Sequence, residues 1–133
     1  MTNRIKSIVA NSGVVILVCL LLFLAGTWWR MQEQYDLGET ALRHGDFTGA
    51  VAGYESAIHM YIPFAGTIEN AAQQLWKIGE SNERLGDINR ALIAYRALRS
   101  AFYADRWLVT PGTDWIARCD TKIATLVPFQ KER

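Results

Sequence analysis

Apolar positions fall into one unbroken block near the N-terminus, followed by shorter segments in which they recur with helical spacing. The block carries no charged residue from position 7 to position 29, and Val14 to Thr27 (VVILVCLLLFLAGT) is almost wholly hydrocarbon. A helix of about 20 apolar residues crosses the roughly 30 Å core of a bilayer. Twelve residues of the block are Leu, Ile, Val or Phe. At roughly −0.3 to −0.6 kcal/mol each, they contribute on the order of −4 to −7 kcal/mol to insertion. That outweighs Ser7, Asn11, Ser12, Gly13 and Gly26. The pattern predicts a transmembrane helix over 7–29 after a six-residue N-terminal segment, with Trp28 and Trp29 as an interfacial aromatic belt. Arg4, Lys6 and the apolar core also suit a cleaved signal peptide. The stretch Phe23-Leu24-Ala25-Gly26-Thr27-Trp28-Trp29-Arg30 offers no small-x-small pair ahead of a residue permissive for cleavage, and Val18 replaces the small residue that a lipoprotein box needs before Cys19. A retained anchor is expected.

Behind the anchor the periodicity predicts a helical domain over 30–127 and a tail over 128–133. The first helix covers about 31 to 43 and is able to continue the span; the second covers about 47 to 61 and is stopped by Pro63. A third, capped by Thr67, runs from about 68 to 85, and a fourth from about 88 to 103. After Pro111-Gly112, Thr113 is the expected cap of a closing helix with apolar Trp115, Ile116, Cys119, Ile123 and Leu126. Arg43-His44-Gly45-Asp46-Phe47 aligns with Arg84-Leu85-Gly86-Asp87-Ile88, and Ala50 and Tyr54 with Ala91 and Tyr95; Gly38 and Gly79 precede the two turns at the same distance. Gly45 and Gly86 suit a left-handed residue closing one helix, and Asp46 and Asp87 suit caps for the next. The small residues let helices approach, with Tyr54 and Tyr95 filling the space left. Such hairpins bury their apolar faces by stacking.

These motifs resemble the tetratricopeptide (TPR) repeat. The matches are Leu37-Gly38, Gly45-Asp46-Phe47, Ala50, Tyr54 and Ala57 in one unit, then Ile78-Gly79, Gly86-Asp87-Ile88, Ala91, Tyr95 and Leu98 in the other. The units are spaced more widely than the family's 34 residues, with the surplus around Tyr61 to Thr67. Gln34 and Leu75 stand where the family carries a bulky aromatic, and Ala41 and Asn82 where it carries Tyr. The resemblance implies an all-α array of two hairpins with a C-terminal capping helix. It also implies a concave groove lined by first-helix residues: Tyr35, Glu39, Leu42 and Arg43, then Trp76, Glu80, Glu83 and Arg84. Glu39 with Arg43 and Glu80 with Arg84 have the i,i+4 spacing of helical ion pairs.

Charge fixes the expected orientation. Arg4 and Lys6 precede the apolar block, whereas all 13 acidic residues follow it. The N-terminus is therefore expected in the cytoplasm, with the helical domain on the periplasmic or other extracytoplasmic side of a cytoplasmic membrane. A near-neutral domain gives no general attraction to nucleic acid. Cys19 and Cys119 fall in the span and on the apolar side of the closing helix, which is not a disulfide framework. Glu55 and His59 share a helix face without further metal-ligand spacing, and His44 suits the end of a helix. No phosphate loop, nucleophile elbow or zinc motif is present in the sequence. Neither catalytic residues nor a bound cofactor or metal are expected.

A protein-binding role remains, at the groove and at a second candidate surface of Tyr103, Arg106 and Trp107, since aromatics and Arg are enriched at interface centres. The expected function is an accessory, scaffolding or assembly subunit of a membrane complex. The alternatives are a structural protein that assembles with itself into a ring or filament, and a small cofactor-carrying or enzymatic subunit.

Overall fold

The computed structural model describes residues 2–106 and 110–131 and is all-helical: among the described residues there are five α-helices and no strand. α1 spans Thr2–Arg43, α2 Phe47–His59, α3 Gly66–Arg84, α4 Ile88–Ala104 and α5 Thr113–Leu126, followed by a 3₁₀ turn over Val127–Phe129. The apolar block and the first domain helix are thus one uninterrupted helix of 42 residues. Its apolar part is long enough to cross a membrane, and none of it is buried against the other described residues. Residues 2–26 are all exposed, Thr27 is half-buried, and Met31 is fully buried in the core.

The turns expected from Gly-Asp are formed. Gly45 and Gly86 have φ of +71° and +77°, and the Asp46 and Asp87 carboxylates accept the backbone N–H of Gly49 and Arg90 at 3.0 and 3.1 Å. His44 Nδ1 lies 2.7 Å from the Thr40 carbonyl oxygen at the end of α1. Three boundaries differ from expectation. α2 ends at His59, before the approach to Pro63, where Met60 already leaves helical geometry at ψ 48°. α3 starts from Ala65 without a side-chain cap, because Thr67 serves another purpose: it accepts a hydrogen bond from Gln32 Nε2 of α1. α5 is entered from Gly112 at φ +68° rather than capped by Thr113.

Side-chain pairing fixes the directions of the helices. Gln34 and Gly38 of α1 lie against Gly53 and Tyr54 of α2, and Ala41, further along α1, lies against the earlier Gly49, so the two are antiparallel. α4 and α5 are antiparallel too, through Arg99–Asp120 at 2.7 Å and Phe102 packed beside Gly112. By contrast α3 and α5 run parallel, linking Glu69 to Trp115 and Glu83 to Lys122. The odd helices therefore climb away from the apolar end of α1 and the even ones return toward it. The two Gly-Asp turns lie at the far end. The α2–α3 connection, the end of α4 and the start of α5 lie at the near end. The tail expected beyond residue 127 is partly pinned at the far end, with Asn89 Nδ2 donating to the Lys131 carbonyl at 3.2 Å.

The core is made where the helices meet: Ala50, Tyr54, Ala57 and Ile58 of α2, Ala71, Ala72 and Leu75 of α3, Leu98 and Ala101 of α4 and Cys119 of α5 are all fully buried. Cys119 lies where its position on the apolar side of α5 implied, and burial pushes its thiol up to about 12. At neutral pH it is an inert thiol.

Candidate functional site

In each hairpin an aromatic side chain of the first helix sits on the buried tyrosine of the second. Tyr35 meets Tyr54 edge-on with ring centroids 5.5 Å apart, and Trp76 meets Tyr95 at 4.9 Å. Glycine makes room for both tyrosines: Gly38 faces the Tyr54 ring and Gly79 the Tyr95 ring. Both hydroxyls donate to a carboxylate of the first helix at 2.9 Å, Tyr54 to Glu39 and Tyr95 to Glu83. Burial and the adjoining carboxylate push both phenols well above the usual tyrosine range. The acceptors are not at equivalent positions, because Glu39 aligns with Glu80, whereas Glu83 aligns with Leu42. Lys122 of α5 accounts for the difference. Its ammonium donates to both Glu83 oxygens, at 3.1 and 2.9 Å, and holds the carboxylate over Tyr95. Burial alone would raise the Glu83 carboxyl; the hydrogen bonds from Lys122 and Tyr95 outweigh it and hold Glu83 below the ordinary glutamate range.

The candidate groove residues therefore fall into two environments. On the first hairpin, Tyr35 and Glu39 are half-buried and Leu42 and Arg43 exposed. Burial and the Glu39 carboxylate raise the Tyr35 phenol as well. On the second, Trp76 lies beneath α5: Arg118 stacks 4.3 Å from the Trp76 ring and 4.4 Å from Trp115, and Trp115 Nε1 donates to Glu69 at 3.1 Å. Glu80 is half-buried and Arg84 exposed. Neither expected i,i+4 pair forms. Among the described residues the ion pairs are Glu55–His59, Asp87–Arg90, Arg99–Asp120 and Glu83–Lys122. Glu39 is taken by Tyr54, and Arg43 Nη2 reaches Thr40 Oγ1 at 3.4 Å.

A cleft of about 270 Å³ between the hairpins, lined among others by Leu42, Phe47, Lys77, Asn82 and Arg90, continues this surface toward the far end. Sequence reasoning missed it, since Phe47 and Arg90 belong to the starts of the second helices and reach the cleft only once the hairpins pack. In the second candidate surface, Tyr103 is exposed between the guanidinium groups of Arg99 and Arg106, 5.3 and 5.0 Å from its ring; Trp107 lies outside the described residues. Beside it, Asp105 has a buried oxygen that finds no hydrogen-bond partner among the described residues. Burial pushes this carboxyl up to about 6, against the opposing pull of His59. Glu55 and His59 face each other at 3.6 Å, and among the described residues no three His, Cys, Asp or Glu side chains gather in a metal-binding cluster.

No family model, curated protein or solved structure matches the chain.

Proposed function

We propose that this chain is a single-pass membrane protein whose helical domain is a docking module, an accessory, scaffolding or assembly subunit of a membrane complex. The observation that carries the reading is the continuity of α1: the same helix supplies an exposed apolar span and then, from Met31 onward, the first wall of the packed domain. A surface attached to the bilayer through an unbroken helix is held at a fixed height and tilt, which suits it to bind a neighbouring membrane subunit.

A TPR-like arrangement is supported by the recurrence of the aromatic, glycine and tyrosine contacts in both hairpins. In this reading the first hairpin offers the open part of the groove, through Tyr35, Glu39 and Arg43, together with Arg84 at its far edge. α5 closes the end of the array over Trp76, as a terminal capping element does. The positive-inside pattern supports a cytoplasmic N-terminus and an extracytoplasmic domain. The module uses no catalytic residues, cofactor or nucleic acid.

Gentle detergent extraction of the tagged full-length protein, with native sizing and mass spectrometry of what co-purifies, tests this. Stoichiometric foreign membrane subunits are expected, and they are expected to be lost in the double variant Arg43→Glu, Arg84→Glu, whose two sites are exposed and leave the core intact. Recovery of this chain alone as one large uniform species would instead support the self-assembling structural protein. That second reading is favoured by one feature, the exposed Leu85 and Phe129 side chains lining a common crevice at the far end.

A further inference from the structure

The connection between α2 and α3 is chemically unlike the turns at the opposite end. From Met60 to Ile68 it carries no charged residue, reading Met-Tyr-Ile-Pro-Phe-Ala-Gly-Thr-Ile, whereas the far-end turns are flanked by Arg43, Arg84 and Arg90. At its tip Phe64 is fully exposed. It is also the one non-glycine among the described residues with positive φ, +67°. Left-handed backbone penalises a bulky side chain, and here the strain turns an aromatic ring outward, where none of the described residues covers it. An outlier of this kind points to a function outside the fold's own packing.

Its height relative to the span is fixed by a contact. Thr67 in the first turn of α3 is hydrogen-bonded to Gln32 of α1, and Gln32 lies one helical turn, roughly 6 Å, beyond Trp28. Thr67 opens α3, which climbs away from the span, so the loop before it, Phe64 included, lies on the span side of that contact, the side on which Trp28 and Trp29 stand. Both tryptophans are exposed.

We propose that the α2–α3 loop is a second membrane contact, with the Phe64 ring and the adjoining Pro63 seated in the interfacial layer of the leaflet from which α1 emerges. This rests on the reading of residues 7–29 as a transmembrane helix. The partner is the lipid surface itself: an uncharged aromatic loop at headgroup level gains by burying apolar area at the acyl boundary, and the adjoining Trp28–Trp29 pair marks the same layer. A helix anchored at one point leaves a domain free to rotate about it. A second foothold fixes which face of the domain looks along the membrane, and hence where a membrane-embedded partner meets Tyr35, Glu39 and Arg43.

Nitroxide depth measurements on the full chain reconstituted in phosphatidylcholine bilayers test the proposal. Cys19→Ala and Cys119→Ala clear the background, and a spin label is placed in turn through Phe64→Cys, Leu17→Cys in the span and Leu85→Cys at the far end, all three at exposed sites. The expected result at position 64 is collision with dissolved oxygen exceeding collision with a water-soluble nickel chelate, at a depth shallower than position 17, while position 85 shows the reverse preference. A label at 64 that behaves like the one at 85, with 17 still deep, overturns the loop contact and leaves the anchor standing. Shielding of 64 from both reagents means that protein, a second copy or another subunit, covers the ring, and overturns it equally. A water-exposed label at 17 removes the anchor reading and the proposal with it.

Discussion

Gly53 and Gly86 are constrained for different physical reasons, and substitutions separate them. A Cβ on Gly53 would lie 2.5 Å from the backbone nitrogen of Gly38 and 2.6 Å from its Cα, so α1 and α2 touch backbone to backbone and no side chain is free to move aside. Gly53→Ala is expected to cost about 1–3 kcal/mol, as overpacking does. Gly66→Ala, with nothing within 4 Å and no positive φ, should leave the melting temperature in detergent nearly unchanged. At Gly86 the space is open but φ is +77°, and Gly86→Val should cost about 1–2 kcal/mol for the left-handed backbone; an unchanged melting temperature would refute the turn. Asp105 adds a pH dependence. An ordinary aspartate titrates near 4 and Asp105 is pushed up to about 6, so the folded chain holds this proton more tightly than the unfolded one. Ionisation of Asp105 therefore begins to cost stability above about pH 4 and does so in full above about pH 6. Asp105→Asn should raise the melting temperature at pH 7 and lose that advantage as the pH falls to 4; a gap independent of pH would contradict the assignment.

At the scale of elements, α5 is held by more than apolar packing. Lys122 and Glu83 are about two-thirds buried, and Glu83 also accepts from Tyr95, so Lys122→Met breaks a three-group network and leaves a half-covered carboxylate. A loss of about 1 kcal/mol is expected, seen as a lower melting temperature and a shift in Trp76 and Trp115 fluorescence. Arg90→Ala, which removes a mostly exposed i,i+3 contact to Asp87 at 3.6 Å, should change stability by less. An equal effect from both would contradict this account of how α5 is held. The five helices and both Gly-Asp turns were legible because helical periodicity, left-handed glycine and aspartate caps are local. The starts of α3 and α5 were not, since Thr67 is drawn to Gln32 across the fold and Gly112 takes the position expected of Thr113. Nor did spacing reveal which face α5 would cover. Trp76 and Glu83 read as groove residues until the helix that lies over them was placed.

For the whole molecule, the run of charge-free positions marked the apolar stretch but not how it joins the domain, because charges resume at Arg30 while the helix continues to Arg43. In the proposed reading that continuity makes α1 both anchor and structural wall, so losing its first part is expected to leave the domain's fold intact in outline and its attachment gone. Alkaline extraction of bacterial membranes expressing the full chain, followed by intact mass measurement, tests the anchor most directly. The expected result is a chain of 15.0 kDa that remains in the washed membrane pellet. A shorter chain in the soluble fraction, cut between the apolar block and Met31, would contradict it.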